Sequence, residues 1–408
     1  MSENNNTCIY CGSLGPFSDE HVIPAGLGAD DKRFLLQDMV CKECNTKVFS
    51  PLELAFLRRS PTALGRIFMQ PEGRKRGGKG DAPKLDATSK VLVSEDGHTS
   101  EIELTTNGRP IILPQLILVA DDRCTPTGTD REGLTQFILD ARGLLGANAL
   151  LASRIDSISK AAFNLISVIW DGEKYVEQKR LLSNQLPKPH IWETTIELDD
   201  SGKPKSNTRL FQRPDGQIVL RVADGLGSAE ALTRFRRVLD KIDLSDVIES
   251  EVKNPLVHLN LPLRTDVTSR VLAKIGVNLL AHLLGPDYAR LPQLQAIKSS
   301  ISSGTPGIPY LLDEGKEAFK KLFAGLPDKH HGFLLTAIPE TATTCTISVV
   351  TQLYGSQIEA VPLGCALPSP NIALPTIFTV DFTSHSVEQY SLIDFISKYP
   401  PNFKLKPH

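Results

Sequence analysis

Two pairs of cysteines near the start of the sequence could hold a metal ion. They are Cys8-Ile-Tyr-Cys11 and Cys41-Lys-Glu-Cys44. A two-residue spacer lets both thiolates of a pair reach one tetrahedral ion, and two such pairs complete a four-sulfur site. A site of this kind stabilises a segment that is too small to fold by burial alone. The spacing therefore predicts a structural zinc ion (Zn2+), with an iron–sulfur cluster as the chemical alternative.

Residues of a different chemistry lie between these pairs and directly after them. Glu20 and His21 precede the apolar Val22-Ile23-Pro24, and Asn45 follows the last cysteine. We expect a strand that carries Glu20 and His21, a second strand near Phe34-Leu35-Leu36, and a helix that begins at Asn45. Zinc would then hold a carboxylate, an imidazole and a carboxamide within reach of one point. Adjacent residues of a strand point to opposite faces, so we expect a bulge or an irregular strand end at Glu20.

This arrangement resembles the HNH endonucleases of the ββα-metal superfamily. The match is to a subgroup with the pattern Cys-x2-Cys, Glu-His-x-Ile-Pro, Leu-Gly and Cys-x2-Cys-Asn. This chain shows the pattern at Cys8/Cys11, Glu20–Pro24, Leu27-Gly28 and Cys41/Cys44/Asn45. The resemblance covers about the first sixty residues. One position departs from it, because many members carry an asparagine where this chain has Leu36; Gln37 or Asp38 could substitute.

The resemblance implies both a fold and a reaction. The fold would be a small ββα-metal domain held together by zinc, and the reaction would be metal-dependent hydrolysis of phosphodiester bonds in DNA. His21 would be the general base, since the ordinary pKa of histidine lies near neutral pH. Glu20 and Asn45 would offer oxygen ligands to one Mg2+ or Mn2+ ion, which would stabilise the transition state and the leaving oxygen. The alternative is a zinc module that binds nucleic acid without cutting it.

A basic segment follows the N-terminal motif. Between Leu57 and Lys84 the chain has six more positive than negative charges, although its net charge is −2. Such a segment suits contacts with DNA phosphates, and the alternative is a solvated loop. Nothing there indicates recognition of bases, so we expect double-stranded DNA to be bound with weak sequence specificity. The predicted nucleic-acid-binding residues are Arg58, Arg59, Arg66, Arg74, Lys75, Arg76 and Lys79.

A predicted helix in the second half of the chain carries a polar stripe. This helix, Val267–Leu284, has one apolar side, and polar side chains recur every four residues on another face. The default interpretation is a solvated face. The alternative is a hydrogen-bonding wall for an anionic ligand, such as a nucleotide signal or the DNA backbone. The residues of this wall would be Arg270, Lys274, Asn278 and His282.

The composition is that of an ordinary globular protein. The hydrophobic fraction of 41% and the charged fraction of 23% exclude wholesale disorder. An aromatic fraction of 6% argues against a surface built for base stacking. We expect neither a membrane span nor a signal peptide. Four of the seven cysteines are clustered, which favours a metal site in a reducing compartment over disulfides. The sequence thus predicts a cytoplasmic protein.

The chain is predicted to have an α+β fold in three parts. Residues 1–60 would form the zinc module, 61–88 a basic linker rich in Gly and Pro, and 89–408 a mixed α/β region with a candidate break at 245–254. Helices are expected at Gly133–Arg154 and Ser228–Ile242. The order of strands and helices is too irregular for a doubly wound sheet.

Three classes of function remain open at this point. The first is a defence or restriction endonuclease, controlled by a C-terminal region that senses modified DNA or a nucleotide signal. The second is a nicking enzyme of repair or mobile-element biology. The third is a non-catalytic zinc protein that binds nucleic acid. The sequence favours the first two, and it leaves open whether one or both strands are cut and whether the chain forms a homo-oligomer.

Overall fold

A computed structural model describes residues 7–401 except 31, 71–82, 88, 96, 106–107, 121–122, 156–161, 196–206, 224, 247, 262–263, 311–312, 356 and 372–373. The described residues form eight α-helices and four β-sheets. The fold is therefore mixed α/β, and the prediction is confirmed at this level.

The helices and strands are numbered in chain order. The helices are α1 (Ser50–Arg59), α2 (Pro61–Met69), α3 (Arg131–Leu144), α4 (Ser228–Leu239), α5 (Thr265–Ala289), α6 (Gln295–Ser303), α7 (Asp313–Phe323) and α8 (Leu392–Lys398). The first nine strands are β1 (Glu20–His21), β2 (Leu35–Leu36), β3 (Ser89–Val93), β4 (Thr99–Leu104), β5 (Pro110–Ile112), β6 (Gln115–Ala120), β7 (Arg123–Thr127), β8 (Asn148–Ile155) and β9 (Ala162–Trp170). The others are β10 (Tyr175–Ser183), β11 (Ile191–Thr195), β12 (Arg209–Gln212), β13 (Ile218–Val222), β14 (Leu256–Asn260), β15 (His330–Pro339), β16 (Thr344–Leu353), β17 (Gln357–Pro368), β18 (Thr376–Asp381) and β19 (Ser386–Ser391).

The chain divides into two compact units, and the second is inserted into the sequence of the first. The first unit comprises Met1–Ala87, Thr106–Gly108 and Leu261–His408, and the second comprises Thr88–Thr105 and Arg109–Asn260. The second unit begins at Thr88, close to the expected boundary at 88, whereas neither unit has a boundary at residue 60. The physical reason is that a segment of this size buries little surface by itself, so the N-terminal module shares its core with the C-terminal part of the chain.

The second unit is built around an eight-stranded sheet with the order β10-β9-β8-β11-β13-β12-β6-β7. The central strand β13 is buried along its whole length, and α4 lies on β10 and β13. A four-stranded sheet, β14-β3-β4-β5, completes the unit. The buried Glu101 of β4 lies 3.4 Å from Arg221 of β13 and 3.8 Å from Arg209 of β12. These ion pairs connect the two sheets through charged side chains.

The first unit is built around an antiparallel five-stranded sheet with the order β17-β16-β15-β18-β19. The long helix α5 packs on β16 and β17 and also on α1 of the N-terminal module. By length and composition, Asp266–Ala289 could cross a membrane, but 78% of its apolar stretch is buried inside the protein. Burial on this scale is typical of a core helix, and packing in the core accounts for the apolar composition of α5.

The N-terminal module and the C-terminal sheet of the first unit share one apolar core. The core includes Val22, Leu36 and Phe56 from the module and Phe378 from the sheet, all at most 1% exposed. Gly28 lies at the contact, with a φ of +84° and its Cα so close to Phe382 that an added Cβ would lie 2.4 Å from the Phe382 Cβ. The glycine of the Leu-Gly pair therefore allows two chain segments to approach closely.

The segment 61–88, which was predicted to be a linker, is helical in its first nine residues. It begins with α2, and the Ser60 hydroxyl caps this helix by accepting a hydrogen bond from the Thr62 amide at 3.2 Å. Ala63 and Ile67 are buried on one side of the helix. These apolar residues explain why the start of the segment is helical although the segment as a whole is rich in Gly, Pro and charge. Residues 71–82 lie outside the described part of the chain.

A buried histidine should make the stability of the first unit depend on pH. His331 of β15 is fully buried, its Nδ1 accepts a hydrogen bond from the Tyr354 amide at 3.3 Å, and burial lowers its pKa to about 3. Unfolding releases the ring to an ordinary pKa of about 6.5. The unfolded chain then binds an additional proton in acid, so the free energy of unfolding should fall by about 1.3 kcal/mol between pH ~7 and ~5.5.

Hydrogen exchange of β15 and β16 in the zinc-loaded protein would measure this slope. We expect His331→Leu to remove most of it, because leucine has no proton to bind. Equal slopes in both proteins would contradict the prediction.

Candidate metal centre

The four cysteines of the N-terminal motif converge on one point. Their Sγ atoms lie within 4.8 Å of one another, and Cys11 Sγ is 3.5 Å from Cys41 Sγ. Four sulfurs bound to one tetrahedral zinc ion lie about 3.8 Å apart, given Zn–S bonds of about 2.3 Å. The cluster can therefore bind a metal ion such as zinc, as the sequence predicted.

Backbone amides prepare the cysteines for a cation. The Cys41 amide donates to Cys8 Sγ at 3.3 Å, and the Cys44 amide donates to Cys41 Sγ at 3.4 Å. Hydrogen bonds from the Cys44 side chain and from neighbouring amides outweigh burial and lower the pKa of Cys8 to about 4. Gly12, with a φ of +75°, closes the turn after the first pair. A lowered pKa favours the thiolate form of Cys8, which is the form that binds zinc.

The two residues of the Glu-His pair lie in a short, regular hairpin. Glu20 pairs with Leu36 and His21 with Leu35, so β1 and β2 run antiparallel without a bulge in these two pairs. Glu20 is consequently buried at 2% exposure, whereas His21 is partly exposed. This differs from the expected bulge or irregular strand end, because the side chains of the two residues alternate between the faces. The hairpin by itself therefore does not turn Glu20 and His21 toward one point. Leu36, which stands where many family members carry asparagine, belongs to the core, and Gln37 and Asp38 are exposed.

Asn45 connects the start of the helix to the strand. It lies in a π-helical turn, Cys44–Phe49, that leads directly into α1. Its Nδ2 donates to Asp19 O at 2.8 Å and to Ser18 Oγ at 3.1 Å. The carboxamide is therefore fixed beside the residue that precedes Glu20. Because Nδ2 is engaged with these acceptors, Oδ1 is the atom through which Asn45 could bind a cation.

A fully buried lysine of α5 contacts Glu20. The Lys274 ammonium forms an ion pair with Glu20 and a second one with Glu53 of α1 at 2.6 Å. It also donates to His21 O at 3.3 Å and lies 5.5 Å from the centre of the Phe49 ring. The Lys274 nitrogen therefore connects α5 with β1 and α1, which lie more than 200 positions earlier in the sequence.

Asn278 lies one helical turn after Lys274 and contacts the same strand. Its Nδ2 donates to His21 O at 2.9 Å and to Glu20 Oε1 at 3.4 Å. Its Oδ1 accepts a hydrogen bond from the Tyr10 hydroxyl at 2.6 Å. Tyr10 lies between the first two cysteines, so Asn278 connects the cysteine cluster with the Glu-His strand.

The charges of this buried network are not fully balanced. Burial raises the pKa of Glu20, and Lys274 partly opposes the effect. Burial would lower the pKa of Lys274, but Glu20 and Glu53 outweigh it and the pKa is raised. Two carboxylates around one ammonium carry an excess negative charge when both are ionised, which a proton or a further cation would balance.

The polar stripe of α5 is neither a solvated face nor an open wall. Lys274 and Asn278 are fully buried against the N-terminal module. Arg270 donates to Ile301 O at 2.9 Å and to Ser302 O at 3.0 Å. The His282 ring lies 4.6 Å from that of Phe34. The expected ligand wall therefore forms internal contacts at three of its four residues, because the polar main chain and carboxylates beside α5 need hydrogen-bond partners. The fourth residue, His282, is exposed.

In the described part of the basic segment, two arginines share one carboxylate. Arg59 and Arg58 lie 3.0 Å and 3.9 Å from the carboxylate of Asp86. Burial lowers the pKa of Arg66, which is mostly enclosed. The remaining predicted DNA contacts lie outside the described residues; they are Arg74, Lys75, Arg76 and Lys79.

Sequence reasoning missed the network of Tyr10, Glu53, Lys274 and Asn278. The available signal was a lysine flanked by Ala273 and Ile275 in a strongly apolar helix, which is typical of a buried charge with a partner. Its partners could not be named, because they lie more than 200 positions away.

A scan against protein-family models, a search of the curated proteins and a search of the solved structures gave no match to this chain.

Proposed function

We propose that the chain is a metal-dependent HNH-type DNA endonuclease with a centre formed by Glu20, His21 and Asn45. The observation that carries this proposal is the hydrogen bond from Asn45 to Asp19 O. It ties the helix start beside the cysteine cluster to the residue before the Glu-His pair. The order of hairpin and helix around four cysteines also supports the ββα topology that the motif implies.

The donor set fits a hard divalent cation such as Mg2+ or Mn2+, in addition to structural zinc at the cysteines. Asn45 has Oδ1 for this purpose, and both contacts of Glu20 use the same oxygen, Oε1, which leaves Oε2 as the ligand atom. The bound ion would stabilise the charge of the reacting phosphate. His21 would act as the general base; the residue as a whole is partly exposed, whereas its ring Nε2 is buried.

The substrate in this proposal is double-stranded DNA, bound through phosphates with weak sequence specificity. The second unit would select modified DNA or sense a nucleotide signal in the cytoplasm, which suits a defence or restriction enzyme. A cleft of about 640 Å³ in that unit supports a sensing role, since small ligands occupy cavities of this size. Hydroxyl and amide side chains contribute to its lining; they include Thr99, Ser100, Thr125, Thr127 and Asn207.

Replacing His21 with alanine tests the proposal directly. The full-length, zinc-loaded protein would be incubated with supercoiled plasmid and Mg2+ or Mn2+. We expect His21→Ala to slow cutting by about 10²-fold or more while zinc content and DNA binding remain, because the general base alone is removed. His258→Ala, which removes an exposed histidine of β14, is the matched control. Unchanged cutting by His21→Ala, or no cutting by the unaltered protein with either metal, would refute the proposal.

A second candidate is a zinc protein that binds nucleic acid without cutting it. The ion pair between Glu20 and Lys274 favours this candidate, because the carboxylate already has a cation beside it. The plasmid assay separates the two, since a binding protein would shift the DNA without metal-dependent cleavage. The products also separate a nicking enzyme, which gives open circles, from an enzyme that linearises the plasmid.

A further inference from the structure

We infer that Lys274 and Asn278 are positioning residues for the proposed metal centre, and that Tyr10 sets the orientation of Asn278. Together they would hold the Glu20 carboxylate and the His21 main chain in the arrangement that binds a divalent cation. This inference rests on the proposed function, but it concerns the cation site itself and can be tested without DNA.

Two side chains of α5 hold the Glu20 carboxylate. Lys274 and Asn278 both approach Oε1, so the carboxylate is fixed by contacts at one of its two oxygens. Contacts of this kind orient a ligand and tune its affinity for the metal in known metal sites. The second oxygen, Oε2, is then held in one place, where it would bind the proposed cation.

The same two side chains also hold the main chain of β1. A hairpin of two paired residues is too short to hold its own geometry. The His21 carbonyl accepts hydrogen bonds from Asn278 at 2.9 Å and from Lys274 at 3.3 Å. These bonds fix the end of β1, and with it the place from which the imidazole extends.

The Tyr10 hydroxyl fixes the orientation of the Asn278 side-chain amide. The Tyr10 hydroxyl donates to Asn278 Oδ1, so Nδ2 must face the acceptors of Glu20 and His21. Tyr10 is itself fixed by its place between Cys8 and Cys11 and by the Phe49 ring, whose centre is 4.6 Å away. The zinc cluster thus determines, through one hydroxyl, where the carboxylate of the second cation site points.

Two tyrosine variants test the inference with a matched control. Tyr10→Phe removes the hydroxyl that orients Asn278 and keeps the packed ring. Tyr354→Phe removes another buried hydroxyl of the same unit, which donates to Gln70 at 2.8 Å, and leaves the Glu20 network intact. Binding of Mn2+ to the full-length, zinc-loaded protein would be measured by electron paramagnetic resonance, alongside the Mn2+ dependence of plasmid cutting.

We expect Tyr10→Phe, and Asn278→Ala more strongly, to raise the Mn2+ dissociation constant by about 10–100-fold. The zinc content should stay unchanged, and Tyr354→Phe should bind Mn2+ like the unaltered protein. If the unaltered protein cuts DNA but Tyr10→Phe and Asn278→Ala bind Mn2+ normally, the inference is refuted and the proposed function stands. If Mn2+ binding weakens as expected but no protein cuts DNA, the positioning role stands and the nuclease proposal is refuted. A protein that binds no Mn2+ would overturn the inference.

Discussion

Replacing Cys41 with serine is expected to abolish zinc binding and to unfold the N-terminal module. Cys41 is 3% exposed, and its Sγ lies 3.5 Å from that of Cys11. Structural zinc sites contribute about 10–16 kcal/mol of apparent binding free energy in small modules. The loss should extend beyond the module, because its apolar residues belong to the same core as α5 and the five-stranded sheet.

Metal analysis and hydrogen exchange would measure this effect. We expect one zinc ion per chain in the unaltered protein and none in Cys41→Ser, together with rapid exchange throughout α1 and α5. Cys345→Ser is the matched control, because Cys345 is buried in the first unit but lies outside the cluster. Retention of zinc by Cys41→Ser would contradict the prediction, and bound iron in place of zinc would identify the cluster alternative.

Replacing Lys274 with methionine is expected to cost about 3–5 kcal/mol of the stability of the first unit. The reason is that Glu20 and Glu53 would remain in the interior without their cation, and removing one partner of a buried ion pair leaves an uncompensated charge. Adding Glu20→Gln to Lys274→Met should restore a large part of the loss, because it removes the more deeply buried of the two carboxylates. Glu20→Gln alone should also destabilise the unit.

The measurement must report on the correct unit. Trp170 and Trp192, the two tryptophans of the chain, lie in the second unit, so their fluorescence does not follow α5. Hydrogen exchange of α5 and release of zinc during a urea titration report on the first unit instead. Lys298→Met is the control, since Lys298 is buried and donates to Ala289 O, and no carboxylate among the described residues forms an ion pair with it. Equal losses for Lys274→Met and Lys298→Met would show that the carboxylates do not matter.

Local patterns of the sequence predict the N-terminal module and several helices. The cysteine spacing indicates the metal cluster, and α4 begins at Ser228 as expected. The predicted helix Gly133–Arg154 is wrong in its second half, because α3 ends at Leu144 and β8 begins at Asn148. The Ala-Leu-Leu sequence there suits a helix and a buried strand equally, and pairing with β9 decides between them.

The candidate site itself could be predicted only in part. Glu20, His21 and Asn45 follow from a motif of nearby residues. The stripe with Lys274 and Asn278 was visible as a pattern, but periodicity does not tell what a helix face contacts. That information depends on tertiary packing between segments at opposite ends of the chain.

The inserted second unit has a consequence for biosynthesis. Lys274 follows His21 by 253 positions, and ribosomes add about 5–20 residues per second. The zinc motif would therefore leave the ribosome roughly 10–50 s before the helix that neutralises Glu20 is made. A nascent or prematurely terminated chain would carry the motif without its buried lysine, so the proposed cutting activity would appear only in molecules whose translation has passed α5.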